Sequence, residues 1–586
     1  MRPILLPLLI LSAAFAPRLD AQFAKSAAAN LELSDGAGAE VQVKLAATAD
    51  AVYASWYDSD PAGSPAFGYD VRLQRLDAAG NQAWPAGGVL VADRGFSSTQ
   101  DYGLAVDAGG DAYLAFRDDR QSGTQITAAR IDAAGQAVWG ATGVQITSTT
   151  DFVAAPKIAV TTTGTVFVAW TQSSTLRLRR LDGAGAFQGS EIVLSLGGGS
   201  LFLADLGSTP NDTVVVSWIS QVGGFFGPRH LYAQSFSSTG TELWTPGGVP
   251  LETTNSLQIG NFPALTVDAA GGAYFAWYGV GPLECYVQHV LANGTTAYGP
   301  APVAVSTDVT RVRVGPSLAI EPSSGLPIVF WTEQNGTQSQ AGLRAQRFDA
   351  TGARLFGPEG LDLVPLSANT VRSITAVATA GGARGLWIGG PSFANDQVSS
   401  VLVGNAGTVL QPPSVLASTP SEKDDLAGTP GPLGDVIAAW HGTESGDQGV
   451  HAQNVTVAGA LGPQAGVLPR TGAGNQEAYS ASGGALGTLV SMEVDLGSSG
   501  YPFALVLGYL HAASIPFAGQ TILADITSAE VLHLAVQAGA PLATFSALVP
   551  NDPSLCGTVV RTQGVMLSPG QPFLLTNARD IYLGVD

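Results

Sequence analysis

The 586 residues carry 26 Lys and Arg against 46 Asp and Glu, a formal net charge of −20. Cations this sparse and unclustered leave no footprint for a phosphate backbone, and the acidic balance repels anionic membrane surfaces. A composition 45% hydrophobic and only 12% charged excludes a disordered chain, and two cysteines, Cys285 and Cys556, make neither a disulfide framework nor a zinc site.

The chain starts with Arg2, an apolar stretch from Ile4 to Ala16, and Leu19-Asp20-Ala21 ahead of Gln22. That order reads as a secretory signal over residues 1–21. No later stretch reaches the ~18 uninterrupted apolar residues that a spanning helix needs. The protein is therefore expected to be secreted or held at the cell surface or in the periplasm, without a membrane span.

From residue 22 to about 470 the sequence repeats. "RLDAAGNQAWPAGGVLVA" at 75–92 returns as "RIDAAGQAVWGATGVQIT" at 130–147. Aligned on the turn glycine, eight copies run through Gly80, Gly135, Gly185, Gly240, Gly294, Gly352, Gly407 and Gly459, on average about 54 residues apart. Upstream in each copy stands an aromatic residue: Trp56, Phe116, Trp170, Trp218, Trp277, Trp331, Trp387 and Trp440. In six of the eight the residue before it is Ser or Ala, so one strand face carries a ring and the other a small side chain. These aromatics are expected to be structural.

Each copy reads as four strands, with hairpins such as "VDAGGDAY" and "FDATGARLF" in which Asp opens the turn and Gly takes the left-handed position. Four-stranded sheets repeated in a ring make a β-propeller. Eight copies predict eight blades, or seven with one divergent unit. "NLELSDGAGAEVQVKLA" near the N-terminus matches the passage from a fourth strand to a first, and is expected to close the ring.

The motif resembles that of exported bacterial propeller repeats, in which an aromatic-ended strand precedes a Gln-Arg-apolar-Asp hairpin. Gln74, Gln234, Gln288, Gln346 and Gln453 keep the Gln, whereas Ala129, Arg179 and Val401 depart from it. After residue 470 the repeat fades, and residues 475–586 read as a separate small β-sandwich. There, "PNDPSLCGTVVRTQG" (550–564) and "LLTNARDIYLGV" (574–585) resemble a C-terminal module of large secreted planctomycete-type proteins. The resemblance implies a surface or export-associated accessory module and no chemistry.

Ligands of such rings meet the rim where the second-to-third and fourth-to-first loops emerge. Just past the aromatic column lie Asp58, the cluster Arg117-Asp118-Asp119-Arg120, Glu333 and His441, which are the candidate ligand contacts. The competing reading of the cluster is a solvated loop with local ion pairs. No nucleophile elbow, His-Glu-x-x-His, phosphate loop or calcium loop occurs, so no catalytic residue, metal or cofactor is assigned. The expectation is an exported, monomeric, non-enzymatic propeller binding a glycan, another polymer or an envelope protein. The alternative is a carbohydrate-active hydrolase or lyase, which needs two converging carboxylates from among Asp58, Asp118, Asp119 and Glu333.

Overall fold

The computed structural model describes residues 22–59, 68–95, 101–121, 123–444, 446–497, 499–528, 530–538 and 541–585. The expected signal segment 1–21 lies outside them. The chain forms two compact units: one comprises Ser26–Leu76 and Gln82–Gln453, and the other comprises Asn454–Asp586, Asp77–Asn81 and the described residues before Ser26.

The first unit is a β-propeller. Among the described residues it holds eight four-stranded antiparallel sheets. Blade 1 is built from Glu40–Ala47, Ala51–Ser59, Tyr69–Asp77 and Val89–Ala92. The first strands of blades 2 to 8 are Gly103–Val106, Val153–Val160, Gly199–Ser208, Leu265–Val267, Val312–Ile320, Arg372–Thr379 and Lys423–Pro430. Each first strand touches that of the next blade, and blade 8 returns to blade 1. Leu31–Ser34 supplies the fourth strand of blade 8, pairing Leu31 with Ala452 and Glu32 with His451. The N-terminal passage thus closes the ring.

Local sequence explains each blade. In the turn of blade 2, Asp132 Oδ1 accepts from the N–H groups of Ala134 and Gln136 at 3.0 and 2.8 Å, and Gly135 N–H donates to Asp132 O at 2.9 Å. Gly135 has φ +84°, a conformation that strains any residue with a Cβ. It is also crowded: a Cβ built there would stand 3.0 Å from the Trp84 ring of the preceding blade. Gly185 meets Trp139, Gly294 meets Trp244 and Gly352 meets Tyr298 in the same way. The ring four residues past one turn therefore seats on the glycine of the next, which locks adjacent blades in register. The Gln column clamps the same connection. Gln234 accepts from Trp244 N–H at 3.0 Å and donates to Thr245 O at 3.0 Å.

All eight members of the aromatic column are buried, Trp387 being the most exposed at 6%. The first strands of blades 1, 3, 7 and 8 carry β-bulges, with positive φ at Gln42, Ala155, Ser373 and Asp425.

The second unit stacks a five-stranded sheet against a three-stranded one, and a two-stranded hairpin completes it. Strand Leu489–Asp495 alternates buried and exposed residues. Val490, Met492 and Val494 enter a core with Val506, Phe545 and Ile581. The five-stranded sheet includes Gly466–Arg470, which pairs with Leu574–Tyr582. This sheet therefore takes up chain ahead of residue 475, where the sequence reading begins the module. The reason is long-range pairing across about 110 residues, which no local turn signal reports. Cys285 in the propeller and Cys556 in the second unit are both free and buried.

Candidate functional site

The rim residues singled out in the sequence sit on strand ends. Asp58, Arg117, Asp118, Glu333 and His441 all lie within second strands, because pairing runs two or three residues past the aromatic column. Their charges are met inside the chain. Asp58 Oδ2 is 2.7 Å from Arg72 Nε. Asp118, 1% exposed, is held by Arg120 through two bonds of 2.9 and 2.8 Å, and Arg120 reaches on to Thr142 O. Asp119 accepts from Gly95 N–H at 3.0 Å, and Arg117 lies over the Phe152 ring. Glu333 is bracketed by Arg313 and Arg344 at 3.1 and 2.9 Å. These groups are spread over blades 1, 2, 6 and 8, and the structure brings the whole set to no common point.

The centre of the ring gathers a different set. The chain has four lysines, and Lys44, Lys157 and Lys423 lie on first strands. Lys44 pairs across its blade with Ser55, and Lys157 with Ala169, in each case the residue before the aromatic. Elsewhere this register position stitches the ring. Asp205 accepts from Leu265 N–H at 3.0 Å, Ser317 accepts from Ala376 N–H at 2.9 Å, and Thr375 donates to Leu426 O at 2.8 Å. In blades 1 and 3 the two lysines instead converge on Asp101, just ahead of the first strand of blade 2. Lys44 Nζ stands 2.6 Å from Oδ1, and Lys157 binds Oδ2.

The electrostatics follow from that sharing. Burial works against the Asp101 carboxylate, but the two ammoniums outweigh it and hold its pKa well below the usual range. Burial, and after it repulsion from Lys157, lowers Lys44. Lys157 is raised despite burial, because Asp101 and Asp205 lie close.

Beside Lys44 opens a cavity of about 540 Å³ whose polar groups are Gln42, Lys44, Asp101, Thr375 and Asp425, drawn from blades 1, 2, 7 and 8. Asp425 Oδ2 accepts from Gln42 N–H at 2.9 Å, and His441 Nδ1 lies 3.1 Å from the same oxygen. Burial opposes the Asp425 carboxylate as well, and His441 together with the Gln42 N–H overcomes it, so its pKa is lowered. Of the rim candidates, His441 contacts a group that lines this cavity. Lys44, Lys157, Asp101 and Asp425 were not among the residues picked from the sequence. The usable signal was the scarcity of lysine outside first strands. It was obscured because Lys44 precedes its aromatic by 12 residues and Lys157 by 13.

Fold and cavity together define a β-propeller, with eight four-stranded sheets among the described residues and an open charged cavity in its ring, carried with a β-sandwich unit. Neither a protein-family model nor a curated protein matches the sequence. Solved structures similar to it include a family PL25 polysaccharide lyase, ulvan lyase. It is 12% identical over 76% of this chain and 96% of that one, with TM-score 0.39. The Dos1 propeller is 13% identical over 71% and 92%, with TM-score 0.39. An α-L-arabinofuranosidase from Clostridium thermocellum is 13% identical over 45% and 93%, with TM-score 0.28. Among the described residues no helix is long and apolar enough to cross a membrane.

Proposed function

We propose that this is an exported binding propeller that takes its ligand, part of a polymer or of a protein, into the cavity at the centre of the ring. The C-terminal unit serves as its export- or surface-associated accessory. One observation carries the reading: the cavity of about 540 Å³ is lined by charged, amide and hydroxyl side chains from four blades. Its volume is that of a ligand pocket, and polar groups set among apolar walls supply orientation and specificity. The rim acids are a poorer choice. Asp58, Asp118 and Glu333 each face an arginine within 3.1 Å, so arginines already occupy carboxylate oxygens that a ligand would need.

The second reading, a carbohydrate-active hydrolase or lyase, draws support from His441 and Asp425, which are 3.1 Å apart beside the cavity. Both readings are tested by screening the full chain against glycans and cell-envelope proteins, then repeating the screen with Ala427→Trp to fill the cavity. Binding lost in that variant at unchanged fold supports the channel site, and unchanged binding overturns it. Turnover of a glycan that His441→Gln abolishes would establish the enzyme instead.

A further inference from the structure

We infer that the cavity takes a neutral polyhydroxylated ligand, the end of an uncharged carbohydrate chain; this rests on the channel-binding reading above. The cavity presents Lys44, Asp101 and Asp425, with Lys157 directly behind Asp101, so two ammoniums face two carboxylates. A ligand anion entering beside Lys44 meets Asp425, and a ligand cation entering beside Asp425 meets Lys44. Like-charge contacts of this kind discriminate strongly against the wrong ligand. Asp205, a further carboxylate that acts on both lysines, takes no part in the lining and is bonded by the N–H groups of Leu206 and Leu265 at 2.9 and 3.0 Å.

Unused hydrogen-bonding capacity then selects the ligand chemistry. Lys44 spends one N–H on Asp101 and its ammonium lies over the Tyr102 ring, 5.2 Å from the centroid; among the described residues no further oxygen or nitrogen acceptor meets it. Asp425 Oδ2 is occupied by Gln42 N–H and faces His441, while Oδ1 meets no donor among those residues. The side-chain oxygen of Gln42 is buried without a partner. The cavity therefore offers ammonium donors on one side and a carboxylate acceptor on the other, with the charges themselves already compensated. A hydroxyl donates and accepts at once, so neighbouring hydroxyls of a sugar can satisfy both sides. Leu45, Leu104 and Leu426 supply apolar wall for the C–H faces of the ring. A zwitterionic peptide end would match the signs but would bring full charges to groups that already have counter-ions.

The test is calorimetric titration of the full chain with four probes: a neutral hexose tetrasaccharide, its uronate counterpart, its amino-sugar counterpart and a dipeptide. The neutral probe is expected to bind saturably, at least about tenfold more tightly than the others, with little change between 50 and 500 mM salt as befits an uncharged ligand. Asp425→Asn should narrow the gap to the uronate by about tenfold, and Lys44→Met should do so for the amino sugar. Gln42→Ala, which alters no charge, should weaken the neutral probe alone and covers the case in which a charge variant misfolds. Preference for any charged probe or the dipeptide, or selectivity identical in all variants, overturns the inference. If such binding disappears in Ala427→Trp, channel binding itself stands; if binding persists there, channel binding falls as well. No saturable binding by any probe also overturns the inference.

Discussion

Lys44 Nζ lies 2.6 Å from Asp101 Oδ1, and the other oxygen of that carboxylate is held by Lys157, 113 residues further along the chain. One carboxylate thus ties the first strands of blades 1 and 3 together across blade 2. Removing it leaves two ammoniums facing each other with no common counter-ion. Asp101→Ala is expected to cost about 2 kcal/mol. That is less than for a fully buried pair, because 42% of the Asp101 side chain is exposed, and more than for a surface pair. Chemical denaturation measures it, and Asp101→Ala combined with Lys157→Met should recover most of the loss. A double variant as unstable as the sum of the singles would show that the three groups act separately.

The pH dependence of Asp101 has a definite sign. Its pKa is depressed in the folded chain, so its stabilisation is present above the ordinary carboxylate pKa of about 4 and is lost as pH falls below that value. The gap between parent and Asp101→Asn melting temperatures should narrow steadily as pH falls below about 4.

Glu40 carries the opposite dependence. It is fully buried, its Oε1 accepts from Gly36 N–H at 2.9 Å and its Oε2 has no partner. Burial, reinforced by Asp58, Asp35 and Asp447, raises its pKa to about 8 against the Gly36 bond. The folded state then holds a proton that the unfolded state gives up near 4.5, so stability falls as pH rises from about 4.5 to 8. Glu40→Gln should remove that slope and stabilise the protein by a few kcal/mol at pH 9. A variant that keeps the slope of the parent would refute the assignment.

The aromatic column should behave as core. Trp277 is fully buried against Val215, Leu231 and Phe275, so Trp277→Ala should cost about 3–5 kcal/mol through the cavity it leaves. Its ring N–H has no hydrogen-bond partner. Trp277→Phe therefore loses area only and should retain most of the stability. A Trp277→Ala protein that melts with the parent would exclude a packing role.

The C-terminal unit needs its first strand. Gly466–Arg470 pairs along Leu574–Tyr582, and Arg470 Nη2 stands 3.0 Å from Asp580 Oδ1. A fragment spanning 464–586 is expected to unfold cooperatively on its own, whereas 475–586, which lacks that strand, should melt lower or aggregate at the exposed edge. Equal melting of the two fragments would mean that the strand contributes nothing.

Much of the fold was legible because its determinants are local. A left-handed glycine such as Gly135 fixes a hairpin within a few residues. A period-2 strand ending in an aromatic such as Trp170 fixes which face is buried, and eight repetitions of both fix the number of sheets. Even ring closure could be read, since Leu31–Ser34 carries the pattern of a fourth strand. Tertiary structure alone decided where the charges go. Asp118 and Glu333 looked like rim acids until folding set them against Arg120, Arg313 and Arg344. Lys44, Asp101 and Lys157 looked unremarkable in separate blades until the ring brought them to one point. Asp425 reaches Gln42 because closure sets blade 8 beside blade 1, at bulges with positive φ in both first strands. Such meetings depend on ring curvature and on register shifts between distant strands, and neither leaves a trace in the spacing of neighbouring residues.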